Sequence, residues 1–173
     1  MWGWHRLADG WAASVVAAAG IEPGDIVVDV GAGDGALTVH LLAAGAQVIA
    51  VELHPGRREA LRHRFSELPV VVVNADASRM RWPRRRFKVV ANPPYAATVA
   101  LVRQLLSPHV RCESADLVLQ RRMVRTLIER PPTRLAGTGC ELTLERGLRV
   151  PRWAFQPPVA VDSAVLRIRR KAR

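Results

Sequence analysis

The chain has 173 residues, of which 49% are hydrophobic, and its formal net charge is +11 at pH 7. This length and this apolar content are those of one folded domain, and they exclude global disorder. The charge favours a polyanionic partner, and arginine carries nearly all of it because Lys88 and Lys171 are the only lysines. A GC-rich genome would also favour arginine over lysine, but it would not produce an excess of positive charge.

Apolar segments with strand-like and helix-like spacing alternate along the chain, which predicts a doubly wound α/β sheet. The last two predicted strands have no helix between them and predict an antiparallel end to a mostly parallel, seven-stranded sheet with helices on both faces. The predicted helices cover residues 7–19, 36–44, 55–65, 98–106 and 121–129. The predicted strands cover residues 26–30, 47–51, 70–73, 87–91, 115–119, 140–144 and 163–168.

A glycine-rich loop, Gly31, Gly33 and Gly35, lies between the first predicted strand, which carries Asp29, and the helix after it. Glycines in this position let the backbone turn tightly and approach a ligand closely. Glu52 ends the next strand about 20 residues further on, where dinucleotide-binding folds place a ribose-binding acid. Both NAD and S-adenosylmethionine contain an adenosine ribose, so these residues alone do not separate the two cofactors.

Polar residues follow the next two strands as well: Asp76 after residues 70–73 and Asn92 after residues 87–91. Because the carboxyl ends of parallel strands meet at one edge of a sheet, Gly31, Glu52, Asp76 and Asn92 are expected in a row. There Glu52 would accept from two ribose hydroxyls and Asp76 from an adenine amino group. The alternative roles are a helix cap for Glu52 and an Asx turn for Asp76. The row favours S-adenosylmethionine, since an NAD enzyme would also need a hydride-transfer site that no second domain supplies.

The sequence Asn92-Pro93-Pro94-Tyr95 ends the fourth strand, because two consecutive prolines cannot donate to a sheet ladder. The Asn92 side-chain oxygen and the Pro93 carbonyl would accept from the two hydrogens of an exocyclic amino group. Tyr95 would stack on the base that carries this group. Asn92, Pro93 and Tyr95 are therefore the predicted catalytic residues. A plain strand-ending turn is the alternative interpretation.

With these residues placed, the chain resembles the ribosomal RNA adenine N6-methyltransferases, and within them the Erm group of macrolide-resistance enzymes. The motifs that carry the resemblance are residues 28–38, Val51-Glu52-Leu53, residues 74–77, residues 92–95, Leu119-Gln120-Arg121 and residues 157–165. The resemblance implies a Rossmann-like class I fold and S-adenosylmethionine as cofactor. The implied cofactor contacts are Asp29, Gly31, Ala32, Gly33, Gly35, Glu52, Leu53, Asp76, Ala77 and Asn92.

The resemblance also implies a function: methylation of N6 of adenine in 23S ribosomal RNA near the peptidyl-transferase centre. The RNA would be free or in an assembly precursor, and the product would confer macrolide, lincosamide and streptogramin B resistance. Three alternatives remain: a small-subunit rRNA adenine methyltransferase, a DNA adenine methyltransferase, and a non-catalytic ribosome-binding factor with the same fold. We expect a cytoplasmic monomer that is not membrane-bound.

The chain departs from the Erm pattern at both ends. Gly3-Trp4-His5-Arg6 stands where family members carry a Gln-Asn-Phe-Leu-like block that touches the cofactor, and the helical C-terminal domain of typical members is missing. The expectation is a short form with one catalytic domain over residues 1–173, including an N-terminal helical region at 1–20 and a basic tail at 165–173. Trp2 and Trp4 would stack on bases or cover the cofactor, and Trp11 would lie in the core.

Two arginine clusters are the preferred RNA contacts. The first cluster precedes the strand that leads to Asn92, and the second follows a strand end. They are Arg84, Arg85 and Arg86, and Arg121, Arg122 and Arg125. The residues 167–173 are a further candidate. The histidines and cysteines show no metal-ligand spacing, so no metal is predicted.

Overall fold

A computed structural model describes residues 5–132 and 141–171, without the side chains of residues 141 and 171. Several predictions fall outside these residues: the roles of Trp2 and Trp4, the start of a strand at Cys140, and the end of the basic tail at Ala172 and Arg173. In the described ranges, no helix has the length and apolar character needed to cross a membrane. The same ranges contain no cluster of histidine, cysteine or carboxylate side chains that could hold a metal ion.

The described residues form nine strands and five α-helices. The strands are β1 (Arg6–Leu7), β2 (Ile26–Val30), β3 (Gln47–Val51), β4 (Val70–Val73), β5 (Phe87–Ala91), β6 (Cys112–Gln120), β7 (Glu141–Val150), β8 (Phe155–Gln156) and β9 (Ser163–Lys171). The helices are α1 (Asp9–Ala19), α2 (Ala36–Ala43), α3 (Pro55–Arg64), α4 (Thr98–Leu105) and α5 (Arg121–Glu129).

Seven strands make one sheet in the order β4-β3-β2-β5-β6-β9-β7. The five strands from β4 to β6 are parallel, while β9 runs antiparallel to both β6 and β7. The predicted fold class is therefore confirmed, including the antiparallel end. Since the first five strands are parallel, their carboxyl ends share one edge of the sheet, here called the carboxyl edge, and their starts share the opposite amino edge.

Helices cover both faces of the sheet because alternate strand residues point to opposite sides. On one face, Val27, Val48 and Val118 pack with side chains of α1 and α2. On the other face, Val28 and Leu117 pack in a cluster that contains residues of α4 and α5. Strands buried on both sides explain the nearly continuous valine runs in the sequence.

The N-terminal helix is shorter than the sequence predicts. Its apolar spacing starts at Leu7, but Arg6 and Leu7 pair as β1 with Gln156 and Phe155 of β8, and α1 begins at Asp9. Leu7 is buried all the same, against the core rather than along the helix. Trp11 is partly buried and stacks edge-on against the exposed ring of Trp153, with 5.5 Å between ring centroids.

Residues 165–171 belong to β9, which confirms the predicted strand at 163–168, extends it to Lys171, and contradicts a basic tail over the same residues. Arg167 and Arg169 both donate to the buried carboxylate of Asp116 in β6. Arg170 donates to three backbone carbonyls, those of Leu105, Ser107 and Cys112. These arginines cross-link the sheet, so they are not a free phosphate-binding segment.

Candidate functional site

The glycine-rich loop folds back onto the ends of β3 and β5. The amides of Gly31 and Ala32 donate to the Val51 carbonyl at 2.8 and 3.0 Å. Gly31 has a φ of 77°, and a Cβ on it would lie 3.0 Å from Cδ of Pro94. Only glycine therefore allows the loop to pack against the Asn92-Pro93-Pro94 segment.

Glu52 is 4% exposed at the end of β3, and the chain itself already holds its carboxylate. Its Oε2 accepts from the Gly33 amide at 2.9 Å, and its Oε1 accepts from the His54 amide at 2.8 Å and from Arg57 Nη2 at 3.1 Å. A carboxylate offers about four acceptor positions. These contacts orient Glu52 and leave capacity for a further donor.

Asp76 forms the Asx turn that was the alternative interpretation of its role. Its Oδ1 accepts from both the amide and the hydroxyl of Ser78 at 2.7 Å, which begins a short 3₁₀ turn, Ala77–Arg79. These hydrogen bonds lower the pKa of Asp76 below its usual value. Within the described part of the chain, the second carboxylate oxygen has no hydrogen-bond partner, so turn formation and ligand contact are compatible.

The Asn92 amide group is fixed by the N-terminal segment. Its Nδ2 donates to the backbone carbonyl of His5 at 3.0 Å, which leaves Oδ1 as the group that faces a ligand. The His5 ring lies against Pro157, with 3.3 Å between Nδ1 and the Pro157 carbonyl oxygen. Because a carbonyl only accepts, Nδ1 carries the proton in this contact. The resemblance places His5 where family members carry a cofactor-touching block, but nothing in the sequence indicates that residues 5 and 92 are neighbours.

Tyr95 lies just beyond the two prolines, in a 3₁₀ turn, and is 42% exposed. Partial burial raises the pKa of its hydroxyl, while interactions with Ser163 and Gln120 act in the opposite direction. Gln120 and Ser163 pair with each other across β6 and β9. Two sequence motifs that lie far apart in the chain thus meet beside the ring.

A cavity of about 520 Å³ opens at the carboxyl edge, and most of the predicted site residues line it. Those on its walls are Gly31, Glu52, Leu53, Asp76, Ala77, Asn92, Pro93 and Tyr95. His5, Arg57 and Ser78 also line it, and none of the three is among the predicted catalytic residues or cofactor contacts. The expected row of strand-end residues is therefore one continuous surface.

Four predicted cofactor contacts do not lie on the cavity wall: Asp29, Ala32, Gly33 and Gly35. Gly33 acts through Glu52, as described above. Gly35 allows close packing, since a Cβ there would lie 2.6 Å from the Phe65 ring. Asp29 is 1% exposed and accepts from the Thr38 hydroxyl at 2.7 Å. Burial raises the pKa of Asp29 to about 7, with a smaller upward contribution from Glu52, and the Thr38 hydrogen bond lowers it in part.

The two predicted RNA-binding arginine clusters lie at opposite edges of the sheet. Arg121 follows the carboxyl end of β6, and its amide donates to the Asp162 carbonyl, so α5 with Arg122 and Arg125 starts at the carboxyl edge. Residues 84–86 precede β5 and lie at the amino edge, where Arg86 pairs with Glu113 at 2.9 Å. A strand of this length spans about 17 Å. Arg84, Arg85 and Arg86 therefore lie away from the cavity although they are close to Asn92 in sequence, and their contact with RNA stays a prediction.

Comparison with known proteins gives matches to ribosomal RNA methyltransferases. The sequence profile of the ribosomal RNA adenine dimethylase family matches residues 10–173. Ribosomal RNA small subunit methyltransferase A of Thermosynechococcus vestitus is 36% identical over 168 residues, which cover 91% of this chain and 63% of the relative. A probable ribosomal RNA small subunit methyltransferase A of Pyrobaculum aerophilum is 33% identical, over 97% of this chain and 73% of the relative.

Among solved structures, the 23S rRNA methyltransferase ErmE superposes with a TM-score of 0.83 at 28% identity. The match covers 99% of this chain and 71% of ErmE. The chain spans about three fifths of the length of several curated relatives that it matches.

Proposed function

The chain belongs to the ribosomal RNA adenine dimethylase family, whose cofactor is S-adenosylmethionine, and we propose that it methylates N6 of adenine in ribosomal RNA. The observation that carries this proposal is the arrangement of Asn92. Its amide nitrogen is bonded to the His5 carbonyl, which leaves its oxygen as the acceptor, and Asn92 lines the same cavity as Pro93 and Tyr95.

The cavity fits S-adenosylmethionine in size and in chemistry. Its volume of about 520 Å³ lies within the range of small-molecule sites. Glu52, already oriented by three donors, would accept from one ribose hydroxyl with its remaining capacity, and the second oxygen of Asp76 would accept from the adenine amino group. Leu53 and Ala77 supply apolar surface for the adenine ring. When bound, the cofactor supplies an electrophilic methyl group.

The residues of the chain would prepare the target amino group for this methyl. The nitrogen lone pair of adenine is delocalised into the ring, which makes the nitrogen a poor nucleophile. The oxygens of Asn92 and Pro93 would accept from its two hydrogens, and these bonds strengthen as positive charge develops on nitrogen. Tyr95 would stack on the extruded base and fix its plane. No general base is needed, because a proton can leave to water after transfer.

Two rRNA substrates have support from separate observations. The curated relatives that match at 33–36% identity are named for the small ribosomal subunit. The large subunit has support from the superposition on ErmE, a 23S rRNA methyltransferase. Macrolide, lincosamide and streptogramin B resistance would follow only for methylation of 23S rRNA near the peptidyl-transferase centre. The further expectation of a cytoplasmic monomer belongs to this proposal.

The test is methyl transfer from labelled S-adenosylmethionine to purified small-subunit rRNA, large-subunit rRNA and adenine-containing DNA, followed by mapping of the labelled adenines. Each rRNA is supplied naked and as an assembly precursor, with Asn92→Ala as the matched control. Label at N6 of rRNA adenine that is absent with the variant supports the proposal, and the labelled RNA identifies the subunit. Label in DNA alone, or cofactor binding without label in any RNA, would contradict it; the second result would favour a non-catalytic ribosome-binding factor.

A further inference from the structure

Residues 5–8 form a short strap that contacts β8, Asn92 and Asp34, and none of these contacts was predicted from the sequence. One side pairs with β8, where Arg6 lies opposite Gln156 and Leu7 opposite Phe155. The Ala8 amide adds a bond of 2.8 Å to the Ala154 carbonyl. These contacts anchor the strap to β8 and the residue before it through the backbone, and together β1 and β8 form a separate two-stranded sheet.

The strap makes one contact at the target-base side of the site, with Asn92, and one contact at the glycine-rich loop, with Asp34. At the target-base side, the His5 carbonyl accepts from Asn92 Nδ2 at 3.0 Å. At the glycine-rich loop, Nε of Arg6 lies 2.6 Å from Oδ2 of Asp34, with both side chains about one-third exposed. The neighbouring residues His5 and Arg6 thus join the catalytic amide to the loop that precedes α2.

The orientation of the Asn92 side chain decides whether it helps or opposes an amino group. With Nδ2 bonded to His5, the oxygen is presented to the cavity and accepts from a donor. If the strap moved, the Asn92 side chain would lose the carbonyl that holds its Nδ2. The amide group could then rotate and turn its N–H donors, instead of its oxygen, toward the amino group of the target base. The position of the His5 carbonyl therefore matters to the reaction, although His5 supplies only a backbone atom.

We propose that Arg6 is a positioning residue: its ion pair with Asp34 holds the strap so that the His5 carbonyl orients Asn92 for the target amino group. This inference rests on the proposed function for its kinetic consequence, but the orientation of Asn92 is a property of the free protein. Arg6 acts through Asn92 and touches neither the cofactor nor the target base.

The kinetic test compares Arg6→Gln and Asp34→Asn with Arg62→Gln, which removes an exposed ion pair to Glu59 on α3. Arg6→Gln and Asp34→Asn should each lower kcat about ten- to a hundredfold, as expected for a misplaced catalytic group, with KM for RNA unchanged. The double variant should be no worse than the single ones, because both remove the same contact. Arg6→Lys, which keeps the charge, should recover part of the rate. The thermal unfolding midpoint should change no more than in Arg62→Gln.

The direct test uses the fact that the chain contains two asparagines, Asn74 and Asn92. Selective ¹⁵N labelling of asparagine gives two side-chain amide signals in NMR spectra, and Asn74, whose oxygen accepts from Arg58 at 3.0 Å, is the internal reference. In Arg6→Gln the Asn92 signal should shift and exchange its protons faster, while the Asn74 signal stays in place.

An unchanged Asn92 signal or an unchanged kcat in Arg6→Gln overturns this inference and leaves the proposed function standing. A wild-type chain that methylates no ribosomal RNA refutes the proposed function instead. In that case the Asn92 signal still decides whether the strap orients the amide.

Discussion

At the scale of single residues, Asn92 and Tyr95 have contacts that fit their predicted roles. Under the proposed function, Asn92→Ala would remove an acceptor for the target amino group, and Tyr95→Ala would remove the surface on which the base stacks. Each should reduce turnover about a hundredfold or more, the size expected for one preorganised polar group, while the affinity for S-adenosylmethionine changes little. Turnover on the rRNA substrate and calorimetric cofactor binding measure the two effects. Leu68→Ala, an exposed apolar change outside the cavity wall, is the control, and normal methylation by either site variant would refute the assignment.

The raised pKa of the buried Asp29 carboxyl predicts how the stability of the fold depends on pH. Its pKa is raised from 3.8 to about 7 by burial, so the folded state favours the protonated form. The stability that this preference contributes is complete below pH 3.8 and is lost as the pH rises through about 7. The loss is of the order of 4 kcal/mol.

Asp29→Asn should remove this dependence, because asparagine keeps an acceptor for Thr38 but does not ionise. Urea unfolding at about pH 5 and about pH 8 measures the free energy of unfolding within the transition and above it, so the difference should be the larger part of the full loss. The wild type should lose stability at the higher pH, and the variant should lose much less. Glu67→Gln, at an exposed position, should behave like the wild type. Equal pH dependence in wild type and Asp29→Asn would contradict the prediction.

At the scale of elements, β9 depends on the buried carboxylate of Asp116, which lies between Arg167 and Arg169. Asp116→Asn would leave two guanidinium groups without their counter-charge. The cost should be about 2–4 kcal/mol, below that of a fully buried pair because both arginines are about 30% exposed. Chemical denaturation measures this cost. Glu113→Gln, which breaks the exposed pair with Arg86, should cost less than about 1 kcal/mol. Similar losses of stability in the two variants would show that Asp116 contributes no more to the free energy of unfolding than a carboxylate in an exposed ion pair.

Removing arginines from helix α5 is expected to weaken RNA binding more than removing arginines from the loop before β5. Arg121→Gln with Arg122→Gln removes cations at the carboxyl edge, next to the cavity, and should weaken RNA binding and flatten its salt dependence by about 1–2 units of slope. Arg84→Gln with Arg85→Gln changes the charge equally but at the amino edge, and should have a smaller effect. RNA affinity measured across a salt series separates the two pairs. A larger effect from Arg84 and Arg85 would indicate that RNA crosses the amino edge.

At the scale of the whole molecule, the net charge of +11 predicts that phosphate contacts dominate RNA affinity. With about six such contacts, affinity should fall about a thousandfold between about 50 and 200 mM salt, because counterions are released on binding. A filter-binding titration at several salt concentrations measures this slope. Sucrose, which changes osmolarity without ionic strength, is the control. An affinity that does not depend on salt would contradict phosphate-dominated binding.

Most of the fold follows from the sequence because parallel strands buried on both faces require long apolar runs. Residues 26–30 and 47–51 are such runs, and their predicted bounds agree with β2 and β3. The long antiparallel strands β7 and β9 were predicted too short, since their arginines interrupt the apolar pattern. In the structure those charges are satisfied by Asp116 and by backbone carbonyls, which no local pattern reveals.

The amino-acid order was enough to identify the residues that leave the carboxyl ends of the parallel strands, and therefore most of the cavity wall. Glycines that need a positive φ, acids after strands and a double proline are local requirements, so they are visible in the chain. Which groups those residues contact was visible only in the folded molecule. Folding joins His5 to Asn92, places Arg84 to Arg86 at the opposite edge from the site, and builds Arg167 to Arg170 into the sheet. Such contacts join residues that are distant in sequence, and they depend on the direction of each strand and the packing between elements.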